Sequence, residues 1–196
     1  GGGGVAILCS KVLPTEIQSL LLDRDAWSLE GLLRILLPRQ GLSSAQLIRG
    51  NSVLDETSYS FSADPSQAFL LTGIAALKTQ NLHFAWTWDV LQAWRTYTNT
   101  PFVLWVWAVR PRVDLQGLDK ELNSLLVRNL AKITELAAEE SRRADIDAGI
   151  FTGLYTKVMH YTLDTPYMTG LRRYAKEACD AHLAPGQAPI RPYVSR

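Results

Sequence analysis

The sequence SLEGLLRILL, residues 28–37, predicts a helix that must lie against a sheet or another helix. Its apolar residues recur at helical spacing and share one face: Leu29, Leu32, Leu33, Leu36 and Leu37. Ser28 is predicted to cap the amino end, because a serine side chain can accept a hydrogen bond from the first helical turn. Pro38 and Gly41 are predicted to end the helix.

Short apolar runs on both sides of this helix predict strands. They lie at residues 5–9, 17–22, 45–48, 68–72, 82–86 and 102–109. The run at 102–109 (FVLWVWAV) is apolar on both faces, as in a strand covered on both sides.

Further helices are predicted at residues 73–78, 88–97, 118–140, 147–155 and 165–183, and a surface loop at 50–66. Strands alternate with helices in the first half, and helices dominate later. This order predicts an α/β fold with a parallel or mixed sheet.

The composition restricts the possible partners. The chain has 196 residues, of which 47% are hydrophobic, so it can bury a core as one domain or as two small lobes. A net charge of +1 gives no reason to expect a nucleic acid partner. No run approaches the roughly 18–20 apolar residues of a transmembrane helix. Cys9 and Cys179 are predicted to be buried free thiols, which favours a reducing compartment such as cytoplasm or an organelle matrix.

No common catalytic or metal-binding motif stands out. His83, His160 and His182 are not at metal-ligand spacing, and the cysteines form no C-x-x-C pair, so no metal is expected. There is no phosphate loop and no dinucleotide fingerprint, so no cofactor is expected. His160 is interpreted as a structural histidine on a helix, and Asp89 and Asp114 as turn or helix-start residues.

Three blocks together resemble a known family. They are GLLRILL at 31–37, YTNTPFV at 97–103 running into WVWAVR at 105–110, and YTKVMHYTL at 155–163 followed by GLRRY at 170–174. In order and spacing they resemble the chorismate dehydratases of the futalosine route to menaquinone, and the resemblance covers nearly all of the sequence.

The resemblance implies a two-lobed fold of the type II periplasmic-binding-protein kind, with a ligand cleft between the lobes. Residues 1–100 would form the second α/β lobe with a hinge strand. Residues 101–184 would supply the return strand and closing helices of an incomplete first lobe, and residues 185–196 an extended proline-rich tail. A partner protein or a missing N-terminal segment is expected to complete the first lobe, because apolar faces and strand edges otherwise lack partners.

The resemblance also implies where a ligand would bind. The Thr-Ser pair of the polar turn that precedes the family's leucine-rich helix corresponds to Ser28 and Leu29, directly after Trp27, so Ser28 alone keeps a hydroxyl and is a candidate for a carboxylate contact at a helix amino end. The glycine that follows the strand at residues 68–72 corresponds to Gly73. The ligand-binding candidates are therefore Ser28, Trp27 and Gly73, and the ligand would be a small carboxylate.

Three of the family's polar positions are lost or missing: two are replaced in this chain, and an asparagine that the family uses early in its chain would lie in the absent N-terminal portion. Removal of water from chorismate needs groups that move a proton and stabilise charge. Where the family has a serine at the start of its strand, this chain has Val5, and where the family has an aspartate after the glycine, this chain has Ile74. No catalytic residue is assigned.

Three hypotheses follow. The first is a degenerate, non-catalytic family member that serves as a structural or interaction subunit of a larger assembly. The second is an active chorismate dehydratase, a carbon–oxygen lyase, whose remaining residues come from a missing segment or a partner chain. The third is a module that binds a small carboxylate without chemistry.

Overall fold

The chain folds around a mixed sheet. The computed structural model describes residues 5–23, 26–50, 64–78, 83–186 and 189–193, with the side chains of Asp23 and Trp27 left aside. The strands are β1 (Ala6–Ser10), β2 (Ser19–Asp23), β3 (Gln46–Gly50), β4 (Gln67–Thr72) and β5 (Trp86–Asp89). The helices are α1 (Trp27–Leu36), α2 (Gly73–Lys78), α3 (Val90–Thr98), α4 (Leu118–Ala131), α5 (Ile133–Ala144), α6 (Ala148–Gly153) and α7 (Thr165–Asp180). This confirms the predicted α/β class with a mixed sheet.

The strand order is β3-β2-β4-β1-β5. β2 is parallel to both β3 and β4, whereas β1 runs antiparallel to both β4 and β5. Consequently β2, β3, β4 and β5 all point the same way, and their carboxyl ends meet at one edge of the sheet. The amino end of β1 lies at that same edge.

The chain divides into two compact units. The first comprises Gly1–Leu104 and Thr165–Ala188, and it holds the sheet with α1, α2, α3 and α7. The second comprises Trp105–Asp164 and Pro189–Arg196, with α4, α5 and α6. The boundaries expected from the family resemblance, 1–100, 101–184 and 185–196, stay a prediction.

The leucine face of α1 forms the centre of the first unit. Leu32 and Leu33 have no exposed surface, and they share a cluster with Leu20 and Leu22 of β2. Each such side chain contributes about 1.5–3 kcal/mol on burial. The opposite face of the sheet is covered by a smaller cluster that includes Phe69 of β4 and Ala76 of α2.

An aromatic cluster joins α3 and α7 above the same face. Trp94 is fully buried and meets Phe102 and Tyr174 edge to face, with ring centroids 5.7 and 6.0 Å away. Around its rim, the Tyr97 hydroxyl donates to Glu177 Oε2 at 3.0 Å, and Arg173 pairs with Glu177 at 2.7 Å. The ring contacts and the Tyr97–Glu177 hydrogen bond hold α7 to α3, and the Arg173–Glu177 pair lies within α7.

Two glycines allow α7 to approach closely. A Cβ built on Gly170 would overlap the carbonyl oxygen of Pro101, and one built on Gly31 of α1 would overlap the hydroxyl of Tyr174. Neither position can take a side chain unless the backbone or the tyrosine moves.

The strand predicted at residues 102–109 does not form. No backbone hydrogen bond reaches these residues from any described part of the chain, and Trp105 and Trp107 are 76% and 85% exposed. A strand needs a neighbour to pair with its backbone, and an apolar pattern alone does not supply one.

The helix predicted at residues 118–140 is two helices. Lys132 leaves helical geometry, with φ −108° and ψ 19°, and separates α4 from α5. α4 has no buried residue, and even its apolar side chains Leu125, Val127 and Leu130 are exposed. The second unit buries instead Ala137, Ala144 and Phe151, where α5 packs against α6.

Several smaller predictions are corrected. The strand predicted at residues 82–86 is β5, which begins only at Trp86, and residue 82 lies outside the described residues. The helix predicted at 147–155 ends as α6 at Gly153 and continues as a π-helical turn at Leu154–Val158. His160 follows that turn and is not helical, and most of the predicted loop at 50–66 lies outside the described residues.

Both cysteines are free thiols. Cys9 is fully buried, donates its thiol to the Phe69 carbonyl, and has its pKa raised from 9.0 to about 12 by burial. Cys179 is only half-buried, so the prediction of burial is confirmed for Cys9 alone. In the described part of the chain, no helix combines the length and hydrophobicity that crossing a membrane requires.

Gly170→Ala tests the approach of α7. We expect a loss of about 1–3 kcal/mol in the free energy of unfolding, because the added methyl group must displace the Pro101 backbone. Urea unfolding followed by tryptophan fluorescence measures it. Gly153→Ala is the matched control, since a Cβ there meets nothing within 4 Å, and its helix propensity predicts a gain of up to about 1 kcal/mol. Equal effects of the two substitutions would contradict the close approach.

Candidate functional site

The sheet has one topological switch point, which lies between β2 and β4. After β2 the chain passes through α1 to β3 on one side, whereas after β4 it passes through α2 toward β5 on the other side. α1 and α2 accordingly cover opposite faces of the sheet. In open α/β sheets such a point leaves a crevice beyond the carboxyl ends of the strands, where ligands bind.

The sequence candidates flank this crevice. Trp27 and Ser28 open α1, which follows β2, and Gly73 follows β4 directly. Val5 lies there too, because its carbonyl oxygen accepts a hydrogen bond from Gly73 N–H at 2.9 Å. Three separate parts of the sequence thus meet at one edge of the sheet, although the side chain of Trp27 lies outside the described residues.

Ser28 is not the N-cap of α1. The N-cap is Ala26, and Ser28 is the second helical residue, so the predicted capping role is wrong. An alanine side chain cannot accept a hydrogen bond, so Ala26 provides no side-chain cap for the first amides of α1. The first bond within the helix runs from Glu30 N–H to the Ala26 carbonyl at 2.9 Å. Among the described residues, which leave out residues 24 and 25 and the side chains of Asp23 and Trp27, the earlier amides and the half-buried Ser28 hydroxyl have no partner and can act as donors to an anion.

The other long helix that begins at this edge is already capped. Gln92 N–H donates to Asp89 Oδ1 at 2.9 Å, so Asp89 fills the amino end of α3 with its own carboxylate, as its predicted helix-start role requires. A carboxylate ligand would therefore meet repulsion at α3 and attraction at α1.

The α2 side of the crevice is apolar. Gly73 has φ +55°, a conformation that a residue with a Cβ adopts only with strain. Ile74 is 40% exposed beside it, and Val5 is half-buried directly before β1. None of these three can donate or accept a proton through its side chain.

Three charged side chains interact around α1 and β3. Glu30 Oε1 accepts from Arg34 Nε at 2.9 Å, and Glu30 Oε2 accepts from Arg49 Nε at 2.6 Å. Burial opposes ionisation of Glu30, but the hydrogen bonds from Arg34 and Arg49 outweigh it and lower the Glu30 pKa below its ordinary value of 4.5. The sequence analysis missed this trio, since Arg49 comes from a strand nineteen residues beyond Glu30 and only the β2–β3 pairing brings it near.

Tyr174 supports Ser28 from α7. Its hydroxyl donates to the Ser28 carbonyl at 3.4 Å, and burial raises the Tyr174 pKa. A tyrosine that is 146 residues away in sequence thus holds the first turn of α1. No local signal in the sequence could have indicated this contact.

Metal chemistry finds no support among the described residues, where no group of histidine, cysteine or carboxylate side chains could hold an ion. His160 instead contacts Asp164 at 3.1 Å and Thr162 at 2.9 Å, within its own loop. Asp114 accepts from Gln116 N–H at 3.0 Å, as its predicted turn role requires.

The sequence was compared with models of known protein families. The menaquinone biosynthesis family model matches residues 2–180. The chain belongs to this family. No curated protein matches the sequence.

Family membership confirms the resemblance drawn from the three sequence blocks, because the matched region includes all of them. It extends from before Val5 through α7, so the edge at the switch point lies within it. The family is a chorismate dehydratase family of the menaquinone pathway.

Removal of the Glu30 carboxyl tests the Glu30–Arg34–Arg49 trio. Because the folded-state pKa of Glu30 is lowered, its contribution to stability is present above the ordinary value of 4.5 and is lost as the pH falls through the folded-state pKa. Glu30→Gln is expected to flatten this acid limb in urea unfolding from about pH 7 to about pH 3. Glu135→Gln, which changes an exposed carboxyl of α5, is the control. An unchanged limb in Glu30→Gln would contradict the ion pairs.

Proposed function

We propose that this member of the menaquinone biosynthesis family binds a small carboxylate at the β2–β4 crevice and does not dehydrate it. The observation that carries the proposal is the contrast between the two sides of the crevice. The α1 side offers the Ser28 hydroxyl and uncapped amides, whereas the α2 side presents Val5 and Ile74.

Binding needs only the α1 side. A carboxylate at a helix amino end gains from the helix dipole and from N–H donors that have no partner within the helix. Ser28 adds a hydroxyl in the same first turn, and its backbone is held by Tyr174. The groups that would meet the ligand are therefore attached to the buried core through α1.

Dehydration needs more than binding. A side chain must remove a proton, and charge that develops in the transition state must be stabilised. Val5 and Ile74 occupy the two positions where the family resemblance implies a serine and an aspartate, and neither carries a polar atom in its side chain. Loss of one such group alone costs on the order of 10²–10⁴ in rate.

Chorismate is the ligand to test. Isothermal titration of the chain should show micromolar binding, and an assay of chorismate consumption should show no dehydration above the uncatalysed rate. Ser28→Ala should weaken binding about ten- to hundredfold, as expected for one lost hydrogen bond to a charged group. Ser44→Ala is the matched control, because Ser44 is exposed in the turn before β3, at the opposite edge of the sheet.

Each contrary result identifies a different error. Turnover of chorismate by the chain would refute the proposal that it is non-catalytic and would favour an active dehydratase. No binding at all would refute the carboxylate site. Equal weakening by Ser28→Ala and Ser44→Ala would show that the α1 side is not where the ligand binds.

A second candidate function is that of an interaction subunit, which one observation favours. Residues 102–109 carry the most strand-like sequence of the chain, yet Trp105 and Trp107 are 76% and 85% exposed. Large exposed apolar surfaces commonly mark protein interaction sites. Under this candidate, the same segment is covered when the protein is in its assembly.

Native mass spectrometry of the protein from its source tests this candidate. We expect an assembly heavier than the chain alone, with Trp105 and Trp107 protected from oxidative labelling inside it. A species with the mass of the single chain, in which both tryptophans are labelled, would refute the interaction subunit.

A further inference from the structure

Thr72 is a polar residue at the end of β4 that neither the sequence analysis nor the family match singles out. Side chains alternate between the two faces along a strand. Ala68 and Leu70 of β4 belong to the core cluster that contains α1, whereas Phe69 and Leu71 belong to the cluster that contains α2. Thr72 shares the alternation of Ala68 and Leu70, so its side chain lies on the α1 face of the sheet.

The strand pairing also gives the height of Thr72 along the sheet. Leu21 of β2 pairs with Phe69 of β4, and Thr72 lies three residues further along β4, at its carboxyl end. On its other side Thr72 pairs with Ala6 of β1. It is therefore the last β4 residue on the α1 face, directly beside the switch-point crevice.

The Thr72 side chain is half-buried, and within the residues that the structure describes its hydroxyl has no hydrogen-bond partner. Other threonines of the chain satisfy theirs: Thr98, Thr152, Thr156 and Thr169 each donate to a backbone carbonyl four residues earlier. A partly buried hydroxyl without a protein partner costs stability unless water or a ligand satisfies it. A valine would fit the strand at least as well.

We infer that Thr72 is a specificity-determining residue that donates a hydrogen bond to the carboxylate bound at the amino end of α1. This inference rests on the proposed function and names a second side chain for the same site. The carboxylate would lie between the Ser28 and Thr72 hydroxyls, one from each side of the switch point.

Thr72→Val is the test, because valine has nearly the same shape and lacks the hydroxyl. Isothermal titration with chorismate should show binding weakened about ten- to hundredfold relative to the unmodified chain, because the lost hydrogen bond is to a charged group. Thr72→Ser, which keeps a hydroxyl, should bind within about twofold of the unmodified chain. Thr87→Val on β5 is the control, since Thr87 is exposed and has the opposite alternation to its half-buried neighbours Trp86 and Trp88.

The outcomes separate this inference from the proposal beneath it. Unchanged affinity in Thr72→Val, with Ser28→Ala impaired, overturns the role of Thr72 and leaves the carboxylate site standing. Equal losses in Thr72→Val and Thr87→Val also overturn it. No binding by the unmodified chain overturns both. Urea unfolding of each variant establishes that the compared proteins are folded.

Discussion

The burial of α1 against β2 is the contact on which the rest of the first unit depends. Leu32 and Leu33 of the helix and Leu20 and Leu22 of the strand are all without exposed surface. Because the helix is fixed over the sheet along its length, its amino end is fixed as well. The candidate site therefore gets its rigidity from apolar packing, while its polar groups remain available for a ligand.

The same packing explains how α7 contributes from far along the chain. Tyr174 contacts Trp94 and Phe102 through its ring and donates from its hydroxyl to the Ser28 carbonyl. Gly31 and Gly170 have no side chains that would hold α7 away. A helix that begins at residue 165 thus completes the core formed by β1, β2, β4, α1 and α3.

The candidate site depends on strand order more than on any motif. Ser28 and Gly73 lie 45 residues apart in the sequence, yet β2 and β4 are neighbours and both end at the same edge. The sequence indicated both residues through the family resemblance. It did not indicate that Thr72 has the same alternation as the core residues facing α1, because that requires the register of β4 in the sheet.

The local sequence pattern was enough to predict those helices and strands whose side-chain periodicity matches one covering surface. The helical spacing of the leucines predicted α1, and the short apolar runs predicted β1, β2 and β4, because both periodicities follow from backbone geometry. The family, too, was apparent from three blocks of sequence.

Pairing, capping and exposure were decided only by the tertiary structure. Residues 102–109 have a strand-like sequence, but no described strand pairs with their backbone. Ser28 is not the N-cap of α1, because the helix begins one residue before it. Each of those outcomes is set by groups distant in sequence or by backbone angles, and neither is encoded in the periodicity of side chains.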